Sequence, residues 1–345
     1  MAKTQMSRWS QFMAAAGLAL AGLTARGHGA EVFLLPTPNR AIYTLGAMER
    51  YFAPTPGRSW ESGTFGCVRS EGWRFHEGID ILPVERDKRG EPADAILATA
   101  DGTVAYINEQ AHLSNYGKYL VLRHQVEGIE IYSLYAHLSQ IKSGLKTGQR
   151  VAAGSVLGVM GRTTNTREPI TKDRAHLHFE LALLLNERFP AWFKKNQPGE
   201  RNDHGVWNGQ NLAGLDPRLI LLQQRRAGEP FNLTSFIRRQ PEMCRVWVRQ
   251  TDFPWLRRYP ALLRRNPAAE REGTAGYEIA LNFNGVPIEL TPRTPAETRH
   301  LGRIQLLSVD PVEYQRNPCR RLVESKNGQW QLGRNGLSLL DLLLF

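Results

Sequence analysis

Cysteine is scarce in this 345-residue chain, which has only Cys67, Cys244 and Cys319. Three thiols cannot build a disulfide framework, and a Cys244–Cys319 bridge would form only in an exported chain, leaving one thiol over. Beyond the N-terminal segment no apolar run approaches eighteen residues, which excludes a multi-span membrane protein. Internal repeats and low-complexity tracts are also lacking, so solenoids are excluded. Acidic residues are missing from the first thirty positions, where Lys3, Arg8 and Arg26 stand alone. What is present is globular and turn-rich: 41% hydrophobic, 22% charged, with 31 Gly and 20 Pro. That composition excludes collagen, coiled coils and wholesale disorder. The length allows two domains and makes a single core unexpected.

Net charge is +11. Residues 31–200 hold 20 Lys/Arg against 19 Asp/Glu, and residues 201–345 hold 21 against 14, so the excess lies toward the C-terminus. A diffuse positive charge fits attraction to an anionic polymer such as cell wall or nucleic acid without implying specificity. Lys3 and Arg8 precede the apolar stretch FMAAAGLALAGL at residues 12–23, followed by the small residues of TARGHGA. This is the order of a secretory signal, too short to span a bilayer, with cleavage expected between Ala25 and Ala30. A short buried helix is the alternative. No cysteine follows the stretch, so a lipobox anchor is not available, and no stable membrane anchor is expected after cleavage.

The expected organisation is a signal peptide over 1–27, an N-terminal arm over 28–59, a β-rich domain over 60–186, an extension over 187–224 and a basic β-rich region over 225–345. Residues 31–59 are either an ordered arm or a cover for the groove. Short alternating segments such as ILATADGTVAYI and IEIYSLYAHL are separated by Asp101-Gly102, Tyr116-Gly117 and Glu127-Gly128 turn signals. Two charged insertions, VERDKRGEPAD after Pro83 and NTREPITKDR over 165–174, read as solvated loops. A short helix is expected near Asp216-Pro217, and hairpins turn at Asn284-Gly285 and Asn327-Gly328.

The chemistry concentrates between His76 and His178. In FHEGIDI an extended chain puts His76, Gly78 and Asp80 at i, i+2 and i+4, projecting imidazole and carboxylate from one face. In AHLHFEL, His176 and His178 share a face while Leu177, Phe179 and Leu181 anchor the other. Two adjacent strands of this kind bring His, Asp and His to one metal ion, and three N/O ligands with a fourth position for water is the pattern of catalytic zinc. His76-Glu77 is not a helical HExxH motif, because Asp80 stands where the second His belongs and Gly78 disfavours a helix. Glu77 then faces away from the metal. In YSLYAHLS, Tyr135 and His137 fall on one strand face; His137 reads either as a hydrogen-bonded strand histidine or as a proton carrier beside the metal. His112, His124, His204 and His300 read as surface or strand residues.

The ordered set HEGID, YAHLS and HLHFEL resembles the M23 metallopeptidases, the lysostaphin and LytM type of peptidoglycan endopeptidases, over about residues 63–183. ADGTV, NYGKYLVLRH and KTGQRVAAGSVLGVMGRTTN agree with it. The resemblance implies an M23-type antiparallel β-sheet domain; with the second β-rich region with minor α content that alternation predicts toward the C-terminus, the expected fold class is mostly β. It implies that His76, Asp80 and His178 bind Zn2+ and that His137 and His176 flank the reacting water. It further implies a secreted or periplasmic zinc endopeptidase acting on peptidoglycan peptides. Two alternatives are a non-catalytic scaffold activating another wall hydrolase and a peptidase acting outside the wall. The insertion ending at Arg174-Ala175 replaces the short Gly-Pro turn usual in the family and should border the substrate groove. In CRVWVRQ, an outward Arg245, Trp247 and Arg249 face would bind wall polymer, with a half-buried strand as the alternative; nucleic acid is not an expected partner.

Overall fold

The structure is a computed structural model that describes residues 31–226 and 230–345. The export segment expected over 1–27 lies outside the described residues. Strand is the commoner regular structure and the sheets are antiparallel, as expected. The main sheet runs in the order Leu212–Leu215, Leu177–Leu184, Ile129–Ala136, Tyr119–Val126, Gly102–Asn108 and Arg150–Val151, and the short strand Ile79–Ile81 also pairs with Leu177–Leu184. Leu177–Leu184 is buried along its whole length, which explains its near-continuous apolar sequence.

Alternation along these strands splits the sheet into two faces. Leu120, Leu122, Tyr135, Phe179 and Leu181 point into a large core, and Tyr119, Val121, Leu134, Ala136 and Ala182 into a smaller cluster on the opposite face. His178 and Glu180, four and two residues before Ala182, therefore emerge on the second face.

The large core does not stop at the end of the first sheet. It runs from Phe33 to Leu343 through Val246, Ile279 and Leu290 of a second sheet, ordered Pro287–Arg293, Gly276–Leu281, Cys244–Val248 and Ile304–Val309. Residues 31–345 form one compact unit. One buried cluster serves both sheets, joined through helix and loop residues such as Ile220, Phe236, Trp255 and Leu340. Residues 33–53 join it too: Phe33, Ile42, Tyr51 and Phe52 are buried, and Ala53 N–H donates to Asp80 O at 2.8 Å.

The expected helix forms at Pro217–Gln223 with Asp216 capping it. The Asn284-Gly285 and Asn327-Gly328 hairpins also form. Two expectations are overturned. Cys319 pairs with Cys67, not with Cys244, which is buried and free. Trp247 is fully buried and its indole N–H donates to Gly302 O at 2.9 Å, while Arg245 meets Glu242 and Arg249 caps Thr298 O and Leu301 O. With Trp247 buried, Arg245 half-buried and only Arg249 exposed, the three residues do not form the outward wall-binding face that was expected. Among the described residues no helix is long and apolar enough to cross a membrane.

Candidate metal centre

The hairpin of Gly66–Arg69 with Arg74–His76 delivers His76, and Ile79–Ile81 delivers Asp80. The two are not on one continuous strand: Glu77 and Gly78 form a bend between them. Register then does the rest, since His178 lies directly opposite Asp80 on one side and Ala136 on the other. Gly78 is required by a close approach: a Cβ there would sit 2.2 Å from Phe179 O. Gly78→Ala is therefore expected to displace the Ile79–Ile81 strand and destabilise the fold by about 2–4 kcal/mol, as steric intrusions on fixed backbone do. A denaturant midpoint equal to that of the parent protein would refute the argument.

His76 Nε2, Asp80 Oδ1 and His178 Nδ1 converge. His76 Nε2 is 3.1 Å from Asp80 Oδ1 and 3.1 Å from His178 Nδ1, and His178 Nδ1 is 3.0 Å from Asp80 Oδ1. Ligands on a tetrahedral zinc with bonds near 2.0 Å stand roughly 3.3 Å apart, so the triangle fits such an ion. All three residues are buried. A second layer orients them: His76 Nδ1 donates to Thr64 O at 2.7 Å, and His178 Nε2 donates to Glu180 Oε1 at 2.9 Å, which also accepts from Tyr116 OH at 2.6 Å. Carboxylates and carbonyls behind metal-binding imidazoles fix their tautomer and raise their basicity. Glu180 was legible in HLHFEL as the next residue on the His178 face but carried no role in the sequence reading.

The charge of this set is met by Arg69, whose guanidinium lies 2.8 Å from His76 Nε2 and pairs with Asp80 Oδ2. No sequence signal pointed to Arg69; only the hairpin pairing carries it into the site. A cation resting on the donor atoms is what a lone pair and a carboxylate demand in a buried setting.

His137 and His176 stand beside the triangle, their rings 4.9 Å apart. His176 Nδ1 donates to Arg174 O at 2.6 Å and His137 Nδ1 to Thr163 O at 2.9 Å, so each presents Nε2 inward. His137 does not reach the site by strand alternation. Tyr135 points into the opposite core, Ala136 ends the strand, and His137 takes a left-handed backbone with φ +63° that turns its ring toward His176. That backbone region is uncommon for a non-glycine residue and is held here by His137 N–H donating to Tyr116 O. Glu77 does not face away: it lines the groove with Arg174, Thr166 and Glu168 of the charged insertion. That insertion borders the groove as expected, and Thr55 and Arg58 stand on its rim. His124 is structural, bridging Asp101 O and Ser133 Oγ.

Electrostatics separate the histidines. Burial lowers the pKa of His76 and His176, and burial with two neighbouring imidazoles lowers His137 well below its ordinary value. Burial also works against charge on His178, but Asp80 and Glu180 together outweigh it and hold its pKa up to about 9. Asp80 titrates well below a normal carboxylate: burial opposes its charge, and His176, His76 and Arg69 overcome that. In the metal-free protein the His178 imidazolium thus contributes stability that is fully present below about pH 6.5 and is lost as pH rises through about 9. Metal must displace its Nδ1 proton. Apparent affinity is expected to rise about tenfold per pH unit and flatten above about pH 9, with one proton released. Chelator competition across that range tests this, and a flat profile would contradict it.

With this geometry in place, comparison with known proteins is informative. Residues 74–188 match the model of peptidase family M23. The chain is similar to the murein hydrolase activator NlpD of Escherichia coli, 34% identical over 128 residues, covering 37% of this chain and 27% of that protein. NlpD of Salmonella dublin is 33% identical over the same length and coverage. The chain thus spans about a quarter of the length of these curated relatives. Among solved structures, a zinc-containing peptidase from Vibrio cholerae is 25% identical, covers 39% of this chain and 30% of its own, with a TM-score of 0.23. The catalytic domain of lysostaphin from Staphylococcus simulans is 18% identical, covers 50% and 88%, with a TM-score of 0.28.

Proposed function

We propose that the chain is an exported zinc endopeptidase that hydrolyses peptide bonds in the stems or crosslinks of bacterial peptidoglycan. The observation that carries this reading is the convergence of His76, Asp80 and His178 on one another, with Asp80, His178, His137 and His176 lining one groove of about 460 Å3. His76, Asp80 and His178 would hold the ion, displacing the Arg69 guanidinium. Zinc bound there would polarise the scissile carbonyl and lower the pKa of water toward neutrality. His137 and His176 keep Nε2 unprotonated because burial depresses their pKa values and backbone carbonyls hold Nδ1–H. Either can accept the proton lost by the attacking water, and once protonated it becomes a donor for the developing oxyanion or the leaving amine.

The names of the related proteins favour a second reading, in which the chain activates a separate wall hydrolase. Incubation of the purified chain with defined muropeptides, with and without chelator, followed by mass analysis, separates the two. The peptidase reading expects new chelator-sensitive products. Intact muropeptides with metal bound, together with chelator-insensitive stimulation of another hydrolase, would replace it with the activator.

A further inference from the structure

A second cavity, of about 550 Å3, adjoins the metal groove, and Phe75, Glu77, Asn115 and Tyr116 line both. Much of its wall lies outside the matched segment: the extension contributes Arg201, Asp203 and His204, the first two paired with each other, and the C-terminal region contributes Asn284 and Arg320. Arg320 is brought there by two restraints: the adjacent Cys319 is bonded to Cys67 on the hairpin that carries His76, and Asn335 Nδ2 donates to Arg320 O at 2.8 Å. Its guanidinium lies over the Phe75 ring, 4.9 Å from the centroid, and Phe75 is itself held against Phe65 and Phe283.

Charge in this cavity is unusually placed. Among the described residues no carboxylate lies within 4.0 Å of the Arg320 guanidinium, and its buried Nε has no hydrogen-bond partner. Glu77 lines the same cavity and, among the described residues, likewise has no cation within 4.0 Å. The two act on one another at longer range: burial lowers the Arg320 pKa and the charge of Glu77 opposes that. His204 adds a further unmet group. It is 93% buried by its 7% exposure, its Nδ1 meets Tyr106 OH at 2.9 Å, and its Nε2 has no partner. A half-buried guanidinium and a half-buried carboxylate that share a cavity without closing into a fork are matched by a ligand carrying both opposite charges a few bonds apart.

We propose that this cavity is a subsite for an α-amino carboxylate zwitterion, Arg320 receiving the carboxylate and Glu77 the ammonium. In a peptidoglycan substrate this is the free end of a diamino acid in a stem peptide, an identification that rests on the reading under Proposed function. The C-terminal region then contributes to substrate selection through Arg320, a residue outside the matched segment 74–188.

The test is calorimetric titration of the full, zinc-loaded chain with three synthetic stem peptides. One has a free zwitterionic diamino-acid end, one is amidated at that carboxylate and one is acetylated at that amine. The parent protein is expected to bind the first peptide about 10- to 100-fold more tightly than either blocked one, as expected for a hydrogen-bonded charge pair. Arg320→Gln should lose the discrimination against the amide and Glu77→Gln that against the acetylated peptide, while Arg320→Lys recovers part of the first. Equal binding of all three peptides by the parent protein overturns the proposal, as does uniform weakening across all three in the variants. Mass analysis of the same samples reads cleavage independently: discrimination without cleavage keeps the subsite and removes the peptidase, and cleavage without discrimination does the reverse.

Discussion

His178→Ala is expected to lose both metal and turnover, with hydrolysis falling at least about 10³-fold, whereas His137→Ala should keep its metal and lose turnover alone. The difference follows from position. His178 Nδ1 is one corner of the donor triangle, and removing it leaves His76 and Asp80, two ligands facing the Arg69 guanidinium with nothing to displace it. A metal held by two ligands in competition with an internal cation has little reason to stay. His137 touches none of the three donor atoms through a hydrogen bond; it meets Thr163 O and faces His176. Losing a general base in such a site costs about 10²–10⁴-fold in rate. Metal content by elemental analysis, measured beside turnover on the same preparations, separates the variants. Stoichiometric zinc in His178→Ala would break the assignment of the centre.

Loss of the Cys67–Cys319 bridge should be the largest single stability effect outside the metal centre. The two residues are 252 apart in sequence, so the bond closes a long loop in the unfolded chain, and Cys67→Ser with Cys319→Ser is expected to cost about 2–5 kcal/mol. The bond also ties the hairpin bearing His76 and Arg69 to the segment bearing Arg320. Removing it should therefore loosen the groove before the sheet melts. Denaturant unfolding of the oxidised and reduced protein measures the stability difference. Thiol counting checks the pairing: burial pushes the Cys244 thiol up to about 12, so no thiol should react in the native oxidised protein and one in the denatured protein. Two or three reactive thiols in the denatured unreduced sample would contradict the bridge.

Much of the centre could be read from the chain because strands encode position locally. The period of two placed His176 with His178 and set Phe179 and Leu181 on the opposite face, and those assignments need only the backbone geometry of one segment. The same rule failed at His137, where one left-handed residue replaced alternation, and at Trp247, where a period-two pattern cannot tell a solvent face from a second buried one. Which cysteine meets Cys319 was also beyond it, since spacing says nothing of which loops approach one another.

The amino-acid sequence by itself determined the ligand types, their order and the faces of the strands that carry them, because these are properties of short segments. Tertiary structure alone decided that His178 lies opposite Asp80, that Arg69 pairs with the ligand atoms, that one core serves both sheets and that Arg320 reaches the cavity beside the groove. Each of these depends on contacts between residues distant in the chain, which form only when the common apolar core assembles and the strand registers lock.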